Sequence, residues 1–287
     1  MQNNDISIYV PAFNAERTIK ACINSIFSQT LEPKKILVVN DGSTDKTAEI
    51  LNSFGSKIEV INNKKNMGVS HSMNIATSNL DSRYVGKIDA DVELTPEWTK
   101  NLLKIIEIEK ATLIGGKMYE KYLDNPYNLW RSIRLKQNWG ENSISNPKFI
   151  FGCNNILDTS KIGNIKKYRD DLEYFKTNGE DIEFSNYLKE KKHKIFYSSD
   201  AICFHLQDDN GISLSKRYWR YIHYGDGLKK RNLFKTLKNL IRQLKRVIKW
   251  SFQDLLKSRF SLLKVNLVLF INFCKIDIKY MKTKKYE

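Results

Sequence analysis

The feature that most constrains this chain is the alternation, over its first third, of short apolar runs with segments of helical periodicity. Residues 6–10 (I-S-I-Y-V) read as a strand that stops at Pro11. Ile19, Cys22, Ile23, Ile26 and Phe27 then fall on one helical face. Residues 36–39 (I-L-V-V) form an unbroken apolar run, as expected for a strand buried on both faces. A helix near 45–54 turns Ala48, Leu51 and Phe54 inward, and a strand at 58–61, a helix at 68–78 and a strand at 84–88 follow. Thr95-Pro96-Glu97 reads as a helix start, Thr95 capping and Pro96 in the first turn, ahead of Leu102, Leu103, Ile105 and Ile106. Strand-helix repetition of this kind predicts the α/β class, with a mainly parallel, doubly wound sheet flanked by helices. Right-handed crossovers then collect the loops that follow the strands at one edge, where ligands of such sheets bind.

The loops at that edge are 11–16, 40–45, 64–68 and 89–93, all polar. The last contains Asp89-Ala90-Asp91. In extended backbone, residues two apart point the same way, so the two carboxylates repel unless a cation sits between them. Mg²⁺ and Mn²⁺ prefer such oxygen donors and bridge readily to a diphosphate. The bland alternative is an acidic turn; the position at a strand end, on the same edge as Asp41, favours the ligand reading. In Asn40-Asp41-Gly42-Ser43-Thr44-Asp45, helix capping accounts for Ser43 to Asp45 but leaves Asp41 available for the imide N–H of a uracil. Gly179-Glu180-Asp181-Ile182-Glu183 precedes another helix. Its acids suit the positive end of the helix dipole, or supply a general base for an acceptor hydroxyl. His205 closes the apolar stretch 201–204. None of the other histidines, His71, His193 and His223, stands at paired zinc-ligand spacing.

The 287 residues suit one large α/β domain with some additional material. We divide them into a nucleotide-binding half (1–110), a second half of the same catalytic domain rich in aromatics (111–227), and a tail (228–287). Cys22, Cys153, Cys203 and Cys274 form no C-x-x-C pair, the pattern of reduced, buried thiols. The N-terminus has no charged start followed by a long apolar stretch, so a cytoplasmic setting is expected. Net charge is +16, but residues 228–287 hold 17 Lys and Arg against three acids, while 1–227 hold 31 against 29. The basicity therefore belongs to the tail, where Phe234, Leu237, Leu240, Ile241, Leu244, Val247, Ile248 and Trp250 recur at helical spacing among lysines and arginines. A basic amphipathic helical tail of this kind suits an anionic membrane surface. The apolar run 262–274 is interrupted by Lys264 and Asn266 and is a poor spanning segment.

Taken in order, V-P-A-F-N-A-E (10–16), V-V-N-D-G-S-T-D (38–45), N-M-G-V-S (66–70), I-D-A-D (88–91) and G-E-D-I-E (179–183) resemble the inverting nucleotide-sugar glycosyltransferases of family 2. These have the Rossmann-like GT-A fold. The resemblance is dense over 6–100, patchy to about 227 and absent from the tail. It implies transfer of a sugar from a nucleoside diphosphate donor, UDP being favoured by family frequency, to a hydroxyl of a glycan or lipid-linked acceptor. Cell-surface polysaccharide or glycoconjugate synthesis is the implied setting, peripheral on the cytoplasmic, inner-leaflet membrane face. It implies that Pro11, Ala12, Phe13, Glu16, Asp41 and Gly68 surround the nucleoside, and that Asp89 and Ala90 approach the ribose and diphosphate. Asp91 and His205 would hold Mn²⁺ or Mg²⁺, and Asp181 would be the base. Gly152, Asn154, Asn155, Glu180, Trp219 and Arg220 would stand on the acceptor side. One departure is Met73-Asn74, where the family often has Arg-Asn, so a basic contact to the nucleotide is absent at that position.

Two other classes compete. A nucleotidyltransferase acting on a sugar phosphate would want glycine and lysine in the loop after the first strand, and 11–16 has neither. A nucleic-acid-binding protein would line its fold with basic residues, yet 1–227 is nearly neutral, so no nucleic-acid partner is expected.

Overall fold

The computed structural model describes residues 5–162, 168–170, 179–223 and 233–283. By internal contacts the chain forms two compact units, Met1–Lys121 with Gln137–Leu206, and Tyr122–Lys136 with Gln207–Glu287.

The first unit follows the expected alternation: β1 (Ile6–Ala12), α1 (Ile19–Phe27), β2 (Lys35–Asn40), α2 (Thr47–Asn52), β3 (Glu59–Asn62), α3 (Val69–Ser78), β4 (Tyr84–Ile88), β5 (Val92–Leu94), α4 (Trp98–Ile108) and β6 (Leu113–Glu120). Strands β3, β2, β1 and β4 lie side by side and parallel. Contrary to expectation, β1 continues through Pro11, which pairs in register with Val39. Its pairing with β4 ends at Tyr9, so past that point the β4 side of β1 has no ladder for a proline to interrupt.

The sheet is mixed rather than mainly parallel in its second half. After β7 (Ile144–Ser145), β8 (Asn154–Asp158) runs antiparallel between β4 and β6. Helix α6 (Glu180–Glu190) follows, and then β9 (Ile195–His205), parallel to β6 and antiparallel to β5 and β7.

Alternate side chains of the strands feed opposite faces. Ile6, Ile8, Val10, Val38, Ile114 and Ile156 pack with Ile23, Ile26, Trp98, Leu102 and Ile106 of α1 and α4. Tyr9, Leu37, Val39 and Val85 pack with Met73 and Ala76 of α3, and Leu113, Leu157, Ile195 and Tyr197 with Phe184 and Leu188 of α6. Helices thus cover both faces, the arrangement that strands apolar on both sides require.

The start of α4 differs from the sequence reading. Thr95 Oγ1 donates to the carbonyl of Ile202 at 2.7 Å instead of capping the helix. The N–H of Thr99 is satisfied by Gln29 Oε1 at 2.9 Å, a cap supplied from far away in sequence.

The second unit is helical: α5 (Pro126–Arg134), α7 (Gly211–Ile222), α8 (Leu233–Leu256) and α9 (Phe260–Thr283). Trp130 of α5 shares a buried cluster with Leu214, Tyr218 and Trp219 of α7 and with Leu262, Val265, Leu269, Phe273 and Tyr280 of α9. Residues 122–136 therefore group with 207–287: a tryptophan and a helix in the middle of the chain complete a core whose other parts come from its end. The 227/228 boundary itself lies outside the described residues. No described helix is long and apolar enough to cross a membrane.

Candidate active site

At the carboxyl edge of the parallel strands, the loops after β1 and β2 are joined by reciprocal hydrogen bonds. Asn14 N–H donates to Ser43 Oγ (3.0 Å), and Thr44 N–H donates back to Asn14 Oδ1 (2.8 Å). Ala15 N–H donates to Thr47 Oγ1 (2.8 Å), Glu16 N–H to Asp45 Oδ2 (3.1 Å), and Lys46 N–H to Glu16 Oε2 (3.1 Å). Asp45 Oδ1 also accepts from Thr47 N–H at 3.0 Å, an Asx turn leading into α2, whose cap position, Lys46, makes no side-chain cap bond. Phe13 stands exposed at the tip, while Pro11 and Ala12 remain in the strand below.

Asp41 is 3% exposed and fully engaged. It accepts from Asn63 Nδ2 (2.7 Å), from Met67 N–H (3.0 Å) and from Gly68 N–H (2.7 Å), so it anchors the 63–68 loop and the start of α3. Its expected contact is a nucleobase; the contacts it makes are with its own chain. Gly42 beside it has φ +68°, and a Cβ there would lie 2.5 Å from the carbonyl carbon of Lys65, so only glycine fits between the two loops.

Asp89 and Asp91 leave the end of β4 as the sequence predicts, with Ala90 buried between them. Asp89 has a partner that the sequence reading did not link to it, Lys87, while Asp91 meets the His205 that the family resemblance paired with it. Asp89 Oδ1 accepts from Lys87 Nζ at 2.8 Å, and the same ammonium donates to the Gly152 carbonyl at 2.5 Å. Lys87 is almost wholly buried. Burial by itself disfavours its charge, but the surrounding carboxylates of Asp89 and Glu180 outweigh this and raise its pKa. Its detectable signal was a lysine inside the apolar run Y-V-G-K-I, two residues before Asp89 and so on the same face.

Asp91 Oδ2 lies 3.2 Å from His205 Nε2, and His205 Nδ1 lies 3.0 Å from Glu120 Oε2. His205 reaches this place because the end of β9 pairs with β5 at Val92 and with the end of β6 at Glu120. Burial alone would lower its pKa; the flanking carboxylates of Asp91 and Glu120 raise it instead. A carboxylate oxygen and an imidazole nitrogen side by side, with the other ring nitrogen held by a second carboxylate, is a donor pair suited to Mn²⁺ or Mg²⁺. Among the described residues no group of three or more His, Cys, Asp and Glu could hold a metal ion. Two protein ligands fit ions of this type, which characteristically take their remaining oxygens from water and substrate phosphates.

Asp181 begins α6. Its Oδ2 accepts from Gly152 N–H (3.1 Å) and its Oδ1 from Ile182 N–H (2.8 Å). Desolvation raises its pKa above the usual aspartate range, against the lowering effect of the Gly152 N–H and of Lys87. Glu180 is pushed up to about 7, by desolvation first and by the neighbouring Asp181 second. Gly152 is where these groups converge: a Cβ there would lie 3.2 Å from Lys87 Nζ, 3.3 Å from Asp181 Cβ and 3.3 Å from Glu180 Oε1.

The remaining expected acceptor-side residues separate. Asn155, partly buried, donates to the carbonyls of Phe151 (3.3 Å) and Gly152 (3.4 Å) beside the cluster. Asn154 points the other way along β8. It is wholly buried, its Oδ1 accepting from Trp98 Nε1 (3.2 Å), so it belongs to the core rather than to a pocket floor. Trp219 and Arg220 lie on α7 of the helical unit. Trp219 is buried against Tyr280 and His223, and its indole N–H donates to Asp277 Oδ1 at 3.1 Å. Met73, which stands where the family often has a basic residue, is buried against the sheet, and Asn74 beside it exchanges hydrogen bonds with the backbone of Tyr168 (2.8 and 2.6 Å) and pins residues 168–170 to α3.

A mixed sheet whose parallel half carries paired acids at its carboxyl edge, with a histidine brought beside the second acid and a carboxylate in the first turn of the following helix, is consistent with a GT-A-type glycosyltransferase fold. The chain belongs to glycosyl transferase family 2, whose profile matches residues 7–192. It is 37% identical over 105 residues to an uncharacterized glycosyltransferase of Haemophilus influenzae, a match covering 36% of this chain and 32% of that one. It is also 37% identical over 101 residues to a chondroitin synthase of Pasteurella multocida, covering 34% of this chain and 10% of the synthase. The matches thus span about a third or less of these relatives. Among solved structures, S. aureus TarS 1–349 in complex with UDP-GlcNAc superposes with a TM-score of 0.59 at 17% identity, covering 98% of this chain and 93% of that one. A mannosyltransferase of Pyrobaculum calidifontis in complex with GDP-Man and Mn²⁺ gives 0.62 at 12% identity, covering 98% and 88%. At such identities these likenesses are likenesses of fold.

Proposed function

We propose that this protein transfers a sugar, with inversion, from a nucleoside diphosphate sugar to a hydroxyl of a glycan or lipid-linked acceptor. The observation that carries this is the convergence of Lys87, Asp89, Gly152, Glu180 and Asp181 next to the Asp91–His205 pair, all at the strand ends where the joined loops 11–16 and 40–45 leave Phe13 exposed.

Asp181 acts as the base. Its carboxylate, held by two backbone N–H groups and raised in pKa by desolvation, accepts the acceptor's hydroxyl proton as that oxygen attacks the anomeric carbon. The new C–O bond forms as the bond to the phosphate oxygen breaks on the opposite face, and the electron pair leaves with the nucleoside diphosphate. One displacement inverts the carbon, and no covalent intermediate is required. Asp91 and His205 would hold a divalent cation, with Glu120 fixing the imidazole; when bound, such an ion neutralises charge on the departing diphosphate. Lys87 positions Asp89 and the Gly152 loop. Asp41 and Gly68 shape the nucleoside pocket by holding the 63–68 loop. Trp219 is committed to the core of the helical unit.

UDP is the favoured donor nucleotide, although the neighbouring structures hold both UDP-GlcNAc and GDP-Man. The chondroitin synthase and a teichoic acid poly(glycerol phosphate) polymerase of Staphylococcus epidermidis, 34% identical over 95 residues, support cell-surface polymer synthesis as the setting. The basic C-terminal helices support a peripheral position on the cytoplasmic membrane face.

The test is calorimetric titration with UDP, GDP and dTDP, each with Mn²⁺ and with EDTA. One nucleotide should bind in a metal-dependent way, and Asp91→Ala should abolish that binding. Asp181→Asn should keep nucleotide binding while losing about 10²–10⁴-fold in transfer rate. Absence of binding by all three nucleotides would defeat the donor-site reading.

A further inference from the structure

Helix α8 is amphipathic in an unusual sense, because its apolar side is the one turned away from the rest of the helical unit. Phe234, Leu237, Ile241, Leu244, Ile248, Phe252 and Leu255 recur at intervals of three and four and so form one stripe. All seven are exposed, Phe234 at 74%, Ile241 at 57% and Ile248 at 61%. The stripe runs for about 30 Å along the helix axis.

The opposite side of α8 is set by polar contacts within the helical unit. Gln243 accepts from the Tyr218 hydroxyl at 2.5 Å. Asp254 accepts from Arg134 at 2.7 Å and from Asn266 at 2.9 Å. Trp250 packs edge-on against Trp130, ring centroids 5.5 Å apart. The stripe therefore cannot turn inward without breaking these bonds. Lys238, Arg242, Lys245 and Lys249, all exposed, each follow a stripe residue by one position and so line a single flank of it. The acid of α8, Asp254, is buried and paired with Arg134. Helix α9 does not offer a comparable surface, since Leu262, Val265, Leu269, Phe273 and Tyr280 are spent on the core of the unit.

A large apolar patch held open marks a docking surface, and its charge selects the occupant. Pairing α8 with a second copy would bring a flank of four cations to an apolar groove that supplies no exposed acid on that helix. A lipid surface carrying anionic headgroups satisfies both halves at once: acyl chains receive the stripe, and phosphates receive the flank. We propose that α8 lies in the plane of an anionic membrane, with Phe234 to Leu255 inserted at the acyl boundary and Lys238, Arg242, Lys245 and Lys249 at headgroup depth. This rests on the peripheral-membrane reading above and assigns it to one face of one helix.

The test is flotation of the full chain with vesicles of phosphatidylcholine, alone and with about one quarter phosphatidylglycerol. Wild type should bind the anionic vesicles, bind the neutral ones weakly, and release as salt rises. Ile241→Asp combined with Ile248→Asp should weaken anionic-vesicle binding by at least about tenfold. Leu267→Asp, a change at an exposed apolar residue of α9, should not weaken it. Metal-dependent nucleotide binding, which uses none of these residues, reports that the variants are folded. Wild-type binding by the double variant, with α9 substitutions equally harmless, would overturn the assignment to α8 while leaving the membrane reading standing. Failure of wild type to bind either vesicle would overturn both. A dimer in sedimentation velocity that the double variant dissolves, without vesicle binding, would overturn the proposal in favour of self-association.

Discussion

Replacing Lys87 with Met keeps the length and apolar body of the side chain but removes the buried ammonium that joins Asp89 to Gly152. The structure allows the cost to be built up from its parts. The half-buried Gly152 carbonyl loses its 2.5 Å partner and keeps the longer 3.4 Å bond from Asn155, a loss of about 1–3 kcal/mol. The Asp89 carboxylate is 36% exposed, so water screens its pairing, and that contribution is up to about 1 kcal/mol. Together these predict a destabilisation of roughly 1–4 kcal/mol, seen as a fall in melting temperature of roughly 2–16 °C for a unit of this size. A second effect has a sign of its own. Lys87 holds down the pKa values of both Glu180 and Asp181. Without it both rise further, and since the base must be deprotonated, the acidic limb of kcat/KM should move to higher pH. Thermal unfolding, together with release of nucleoside diphosphate followed across the pH range, reads both effects. A variant with wild-type melting temperature and an unmoved acidic limb would refute the argument that this lysine organises the catalytic carboxylates.

Glu120→Gln should weaken Mn²⁺-supported nucleotide binding by about 10–100-fold while leaving binding in EDTA unchanged, because the glutamate orients His205 without touching the ligand; calorimetry in the two conditions checks it. Glu180 carries a pKa raised from 4.5 to about 7, so the folded state holds its proton more tightly than the unfolded one and stability falls as pH rises through that window. Glu180→Gln should therefore be stabilised relative to wild type at pH above the window, by at most about 3 kcal/mol, and show no such gain below it. Urea unfolding of both proteins on the two sides of the window measures the difference, and a pH-independent difference would count against the assigned shift.

The sequence determined the half of the fold in which strands and crossover helices follow one another directly. Apolar runs such as I-L-V-V at 36–39 and the helical spacing from Ile19 to Phe27 are local patterns, and the parallel β3-β2-β1-β4 block follows from them. It also determined the positions of Asp89, Asp91 and Asp181, since a strand end and a helix start can be read from neighbouring residues. Tertiary structure alone decided what these acids touch. His205 meets Asp91 across 114 positions, Asp41 meets Gly68 across 27, and Lys87 meets the Gly152 carbonyl across 65. The same is true of Asn154, which the resemblance set on the acceptor side while the pleat turned it to Trp98, and of Trp130, which draws residues 122–136 into the helical unit. Periodicity could show that α8 has an apolar stripe but not which way it faces. That was settled by Gln243, Trp250 and Asp254, whose partners Tyr218, Trp130 and Arg134 lie on other helices: a helix turns towards the contacts it can satisfy, and those contacts are not adjacent in the chain.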